Sequence, residues 1–137
     1  MVKHTDHSMG EMSAIVMEFV EEGNEKADLV ERYLLLLEKS PSSREALAEV
    51  FRAMHTIKGA TGFLGFTKLC TLAHTGESLL VRLRDDALVA NPQIVNALLS
   101  LVDAIRESLS EIAATGKEGN REYETLISTL VRLQKAG

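Results

Sequence analysis

Tryptophan is absent from this 137-residue chain, aromatic residues amount to 4% of it, and it holds only two prolines and one cysteine. Each shortage excludes something. With so little aromatic surface, the core has to come from Leu, Val, Ile, Ala and Met, which is what helical bundles use. Pro41 and Pro92 are too few for an all-β chain with its many turns. Cys70 has no partner for an internal disulfide, which fits a reducing compartment, and as a small apolar side chain it reads as core. Positive charge is also short: 15 Lys and Arg against 20 Asp and Glu leave a net charge of −5. A nucleic-acid binder needs a basic face to displace counterions, so that class is set aside. No apolar run approaches the roughly 20 residues of a membrane span, and the opening MVKHTDHSMG lacks the apolar stretch of a secretory signal. A cytoplasmic protein without membrane insertion is the expectation.

What is present is helical. At 45% hydrophobic the chain can build one core, and its length suits one domain. We expect a flexible leader over 1–11, in which His4 and His7 are tail residues despite a metal-like spacing, and a single domain over 12–135. Apolar residues recur with helical spacing at Ile15, Val16, Phe19, Val20, Ala27, Val30, Tyr33, Leu34 and Leu37, giving one long helix with a weak point at Gly23 and Asn24. SPSS at 40–43 breaks it. A second helix from about Ser42 buries Leu47, Val50, Met54 and Ile57, and GFT at 65–67 makes a turn in which Thr67 can cap a third helix. That helix carries Leu69, Leu72, Ala73, Leu79, Leu80 and Leu83. Asn91 and Pro92 have the chemistry of a cap and first position for a fourth, which runs through Val95, Leu98, Leu99, Val102, Ile105, Leu109 and Ile112. A fifth, shorter helix follows from about Arg121 to Gln134. The predicted fold is all-α: a four-helix up-down bundle with a fifth C-terminal helix appended.

One stretch conflicts with helix propensity. HTIKGATGFLGF, residues 55–66, holds three glycines, and each costs roughly 1 kcal/mol against alanine inside a helix. His55, Lys58, Gly59 and Gly62 fall at i, i+3, i+4 and i+7, one stripe turned away from Met54 and Ile57. A histidine and a lysine thus stand side by side on the outside, followed by bare backbone. On the third helix His74 and Glu77 form a second pair on one face. His55 lies about as far before the 65–67 turn as Glu77 lies after it, so an antiparallel hairpin brings the two level.

A carboxylate beside one imidazole nitrogen fixes the tautomer. It accepts Nδ1–H and leaves Nε2 with a free lone pair, an oriented nucleophile. Lys58 is placed to neutralise charge arriving on an adduct, and a phosphoryl group is the natural candidate. The chain has no P-loop, no glycine-rich nucleotide fingerprint and no carboxylate cluster for magnesium, so it can hold a phosphoryl group but has no evident means of taking one from ATP. A di-metal bundle would need Glu-x-x-His motifs on two helices; here the order is His-x-x-Glu, found once, and no metal is expected.

FRAMHTIKGATGFLGFTKLCTLAHTGESLLVRLR, residues 51–84, closely resembles the histidine-phosphotransfer (HPt) domain at the N-terminus of CheA-type chemotaxis kinases. His followed by Lys-Gly and small residues is the general HPt signature, while FLGF, LAH and the following Glu77 resemble the CheA subtype, and a looser likeness covers about 12–135. The resemblance implies that His55 is phosphorylated on Nε2 by a histidine-kinase ATP-binding domain, in the same chain or in trans, and that the group passes to an aspartate of a CheY-like or CheB-like receiver. It implies that Glu77 orients His55 and that Lys58 and His74 tune the site. No cofactor is expected on this domain, since ATP and Mg2+ belong to the partner kinase domain, and no kinase activity of its own is implied. Gly59, Gly62, Phe63 and Leu64 are the expected docking rim. The competing expectation is an HPt-like helical interaction module that carries no phosphate.

Overall fold

Each helix begins and ends where local chemistry allows it, and the spacing of apolar residues sets which face turns inward. The structure, a computed structural model, describes the backbone of residues 3–135 and the side chains of residues 14–135. Five helices follow in order: α1 (Lys3–Lys39), α2 (Arg44–Leu64), α3 (Thr67–Arg84), α4 (Pro92–Thr115) and α5 (Glu124–Gln134). No strand occurs among the described residues. α1 starts at Lys3, inside the stretch 1–11 that the sequence sets apart, and His4 and His7 lie outside the residues whose side chains are described.

α1 packs on α2 and α4, α2 also packs on α3, and α5 lies against α3 and α4. The predicted Leu34, Leu37, Met54, Leu69, Leu79, Leu98 and Leu109 are fully buried; so is Leu101, which the sequence reading did not name, whereas Leu99 is only partly buried. Each fully buried side chain contributes about 1.5–3 kcal/mol relative to exposure. α5 closes the bundle through Leu130 and Leu133, both buried.

Gly23 and Asn24 do not weaken α1, which is unbroken there. A Cβ on Gly23 would stand 3.0 Å from Leu109 Cδ1 of α4, so this glycine serves a close helix–helix approach. Asn24 donates through Nδ2 to the Val20 carbonyl at 3.0 Å. Ile15, the first of the apolar series in α1, is exposed.

One of the two predicted caps forms, and α2 has a cap the sequence reading did not name. At the head of α4, Asn91 accepts from the Ile94 amide at 2.9 Å with Pro92 at the first helical position, and at the head of α2 Ser43 accepts from the Ala46 amide. At α3 the predicted cap fails: Thr67 is the first helical residue, Phe66 holds the cap position, and neither side chain caps it. The free amides of Lys68 and Leu69 instead donate to the Glu118 carboxylate, at 3.1 and 2.9 Å, from the α4–α5 connection. α5 starts at Glu124, later than expected, after Tyr123 at φ 56°.

Candidate functional site

α2 stops abruptly, and that stop places the site. Gly65 sits at φ 82°, where only glycine is unstrained, and its amide donates to the Gly62 carbonyl while the Phe66 amide donates to Thr61. The chain reverses within two residues, and α3 returns antiparallel along α2. Close packing then fixes its depth. Gly76 faces Leu101 of α4 so tightly that a Cβ there would lie 2.3 Å from Leu101 Cδ2. Glu77, next in sequence, is thereby set into the seam between α2 and α3, only 7% exposed.

Its two oxygens are both used. His55 Nδ1 is hydrogen-bonded to Oε2, and Lys58 Nζ donates to Oε1 at 2.5 Å. A buried carboxylate without partners would be costly; here two donors from consecutive turns of α2 satisfy it. Burial alone pushes the Glu77 pKa up. Hydrogen bonds from Lys58 and His55, and the positive charge of Lys58, outweigh it and hold the group below the ordinary 4.5. Glu77 is therefore an anion at neutral pH, an acceptor only, so the imidazole Nδ1 carries the proton in this bond. Nε2 is left as the free nitrogen on a side chain 62% exposed.

The remaining candidates are arranged around this pair. Lys58 is engaged by Glu77 rather than standing free beside the histidine. His74 diverges from Glu77: it is exposed, with no hydrogen bond or ion pair among the described residues, and borders an open depression with Lys58, Gly59, Gly62 and Phe63. Cys70, expected in the core, is half-buried at the edge of the same depression, with Sγ 3.8 Å from the Lys58 carbonyl. A Cβ on Gly62 would lie 3.8 Å from that sulfur. A Cβ on Gly59 would meet nothing within 4 Å, so packing does not require that glycine. Phe63 is 87% exposed, while Leu64 is half-buried against the core.

One neighbour of His55, and the residue behind it, escaped the sequence reading. The Phe51 ring stacks on the His55 ring, centroids 6.1 Å apart and planes 12° from parallel. The Arg84 guanidinium of α3 lies 4.7 Å from the Phe51 centroid. An aromatic residue four positions before the histidine was the available signal. No group of three or more His, Cys, Asp or Glu could hold a metal among the described residues. None of their helices is long and apolar enough to cross a membrane.

The sequence model of the Hpt domain matches residues 14–108, which include all of α2 and α3 and hence His55, Lys58 and Glu77. The chain belongs to the Hpt domain family. Among similar proteins, the chemotaxis protein CheA of Halobacterium salinarum is 39% identical over 98 residues, which cover 72% of this chain and 15% of that protein. The sensor histidine kinase CheAY of Helicobacter pylori is 30% identical over 128 residues, 93% of this chain and 16% of that protein. This Hpt domain thus spans about a sixth of the length of such relatives. The phosphorylated P1 domain of CheA3, solved in complex with CheY6 from R. sphaeroides, superposes with a TM-score of 0.82 at 28% identity, covering 91% of this chain and 99% of that one. The solution structure of the histidine phosphotransfer domain of CheA gives 0.79 at 29% identity, covering 87% and 90%. The four-helix bundle with an appended fifth helix is the fold these Hpt domains share.

Proposed function

We propose that His55 is the phosphoacceptor of a CheA-type phosphorelay, with residues 12–135 acting as one phosphotransfer domain in the cytoplasm. The observation that carries this is the divided carboxylate of Glu77, which bonds His55 Nδ1 and leaves Nε2 open. A separate histidine-kinase ATP-binding domain supplies ATP and Mg2+. The Nε2 lone pair attacks the γ-phosphorus, the bond to ADP breaks, and an N–P bond forms. The ring then carries a proton on Nδ1 and the phosphoryl group on Nε2, and is cationic. Glu77, already anionic at that proton, stabilises it. A receiver aspartate of a CheY-like or CheB-like protein next attacks phosphorus, and the imidazole leaves neutral. Lys58 secures Glu77, and His74 lines the approach.

Two proteins must reach one nitrogen in turn, and the surface beyond His55 suits that. Gly59 and Gly62 keep it low, and Phe63 stands clear of it as an aromatic contact for the receiver. The similarity to a P1 domain solved with CheY6 supports a receiver partner.

His55→Gln is the direct test. With the kinase ATP-binding domain and ATP, the wild type is expected to gain an acid-labile, base-stable phosphate, and the variant none, with its helical content unchanged. Labelling that persisted in the variant would remove His55 from the role. A wild-type chain that never labels would leave the interaction-module reading in its place.

A further inference from the structure

His55 is exposed, and an exposed imidazole on a helix has several rotamers open to it. One hydrogen bond to Glu77 fixes one edge of the ring but leaves rotation about that bond to other contacts. Helical side chains lean toward the N-terminus, over the residue four positions earlier. For His55 that residue is Phe51, and the two rings lie nearly parallel at 6.1 Å between centroids. The C-terminal side is the reverse, with Gly59 offering no side chain at all. The histidine is therefore walled on one side and open on the other.

Phe51 is itself held. It packs against the core as a partly buried residue. Arg84, at the last position of α3, places its guanidinium 4.7 Å from the ring centroid, a cation–π distance. The backbone there is tied down as well: Arg44 donates through Nη1 to the Arg84 carbonyl at 3.2 Å and pairs through Nη2 with Asp86 at 2.5 Å. A continuous surface ladder thus runs from the start of α2 and the end of α3, through Phe51, to the His55 ring.

We propose that Phe51, braced by Arg84, is a positioning residue for His55: it holds the ring in the rotamer in which Nδ1 meets Glu77 and directs Nε2 to the glycine side. Neither residue touches the reacting atoms. The inference rests on the phosphoacceptor reading for its consequence in rate, while the ring orientation stands independently of that reading.

The test uses Phe51→Leu, Phe51→Tyr and Arg84→Met in the intact chain. Long-range nitrogen–proton NMR correlations read the His55 tautomer without any phosphoryl chemistry. Loss of the ring in Phe51→Leu is expected to lower the Nδ1–H population, with wild-type behaviour restored in Phe51→Tyr and an intermediate loss in Arg84→Met. With the kinase domain, kcat for labelling should fall about three- to tenfold in Phe51→Leu, the size expected for one aromatic pair, while KM is unchanged and Phe51→Tyr recovers. An unaltered tautomer in Phe51→Leu would overturn the proposal. So would a raised KM with unchanged kcat, which would make Phe51 a docking contact. A tautomer shift accompanied by no labelling of the wild type would uphold the positioning and overturn only the phosphoacceptor reading. Should Phe51→Leu fail to fold, Arg84→Met alone decides, since its guanidinium is at the surface: a wild-type tautomer and rate there would overturn the ladder.

Discussion

Lys58 donates to the one oxygen of Glu77 that His55 leaves free, at 2.5 Å. The sequence places this lysine beside the histidine, ready for an incoming phosphoryl group, whereas the fold gives it a prior task. It completes the coordination of a buried carboxylate. Lys58→Met keeps the aliphatic stem but leaves Oε1 without its donor, and a hydrogen bond to a charged group is worth about 1.5–3 kcal/mol. The lysine is partly exposed, so solvent takes back part of that, and a loss of about 1–2 kcal/mol in urea unfolding is the expected result. The Glu77 pKa should rise and labelling of His55 should slow. A variant as stable as wild type, with labelling reduced, would return Lys58 to the phosphate-neutralising role alone.

Gly59 and Gly76 separate two uses of glycine that look alike in sequence. Gly59→Ala places its Cβ in open space, so helix propensity predicts a gain of about 0.5–1 kcal/mol. If its bareness serves partner access, phosphotransfer to a receiver should nevertheless slow. Gly76→Ala puts a Cβ 2.3 Å from Leu101 Cδ2, and overpacking of this kind costs about 1–3 kcal/mol. Thermal unfolding and transfer kinetics on the two variants check both signs. A Gly59→Ala variant that is more stable and equally fast would end the access argument.

The helices could be read from the sequence because burial imposes a 3.6-residue period: Leu69, Leu72, Ala73, Leu79, Leu80 and Leu83 are all buried on one face of α3. The meeting of His55 with Glu77 was legible for a different reason, symmetry about the Gly65 turn. What the sequence hid depends on contacts that leave no periodic trace. Lys58 was visible, but which charge it would meet depended on how far Glu77 sinks into the α2–α3 seam, and that depth is set by Gly76 against Leu101. The separation of His74 from Glu77 has the same origin. A three-residue spacing puts both on adjoining parts of the helix surface, but only packing decides which of them lies under α2.

Glu118 caps α3 from about 50 positions away, and this is the contact least accessible to sequence reasoning. Its carboxylate accepts from the Lys68 and Leu69 amides, while Lys68 Nζ reaches the Gly119 carbonyl at 3.3 Å and Glu122 at 3.3 Å. The α4–α5 connection is thereby fastened to the start of α3, where an anionic cap also complements the helix dipole. Glu118→Ala should cost about 1 kcal/mol, the usual value of a lost cap. Hydrogen exchange should quicken at the Lys68 and Leu69 amides before it does in the α2 core. Protection unchanged at those two amides would show that the cap contributes nothing in solution.

The acid limb of stability should carry the signature of Glu77. Its folded-state pKa lies below 4.5, so the folded protein binds this proton less readily than the unfolded chain does. A depressed carboxylate contributes stability that is fully present above the unfolded value and is lost as pH falls through the folded one. Glu77→Gln cannot titrate and keeps roughly the same volume, so the wild type should exceed it in unfolding free energy near neutral pH. That difference should hold down to about pH 4.5 and narrow below it. Urea titrations of both proteins across this range measure the difference directly. A gap that stayed constant into acid would mean that the charge on Glu77 does not stabilise the fold. The orienting bond to His55 would then depend on packing of the α2–α3 seam rather than on the anion.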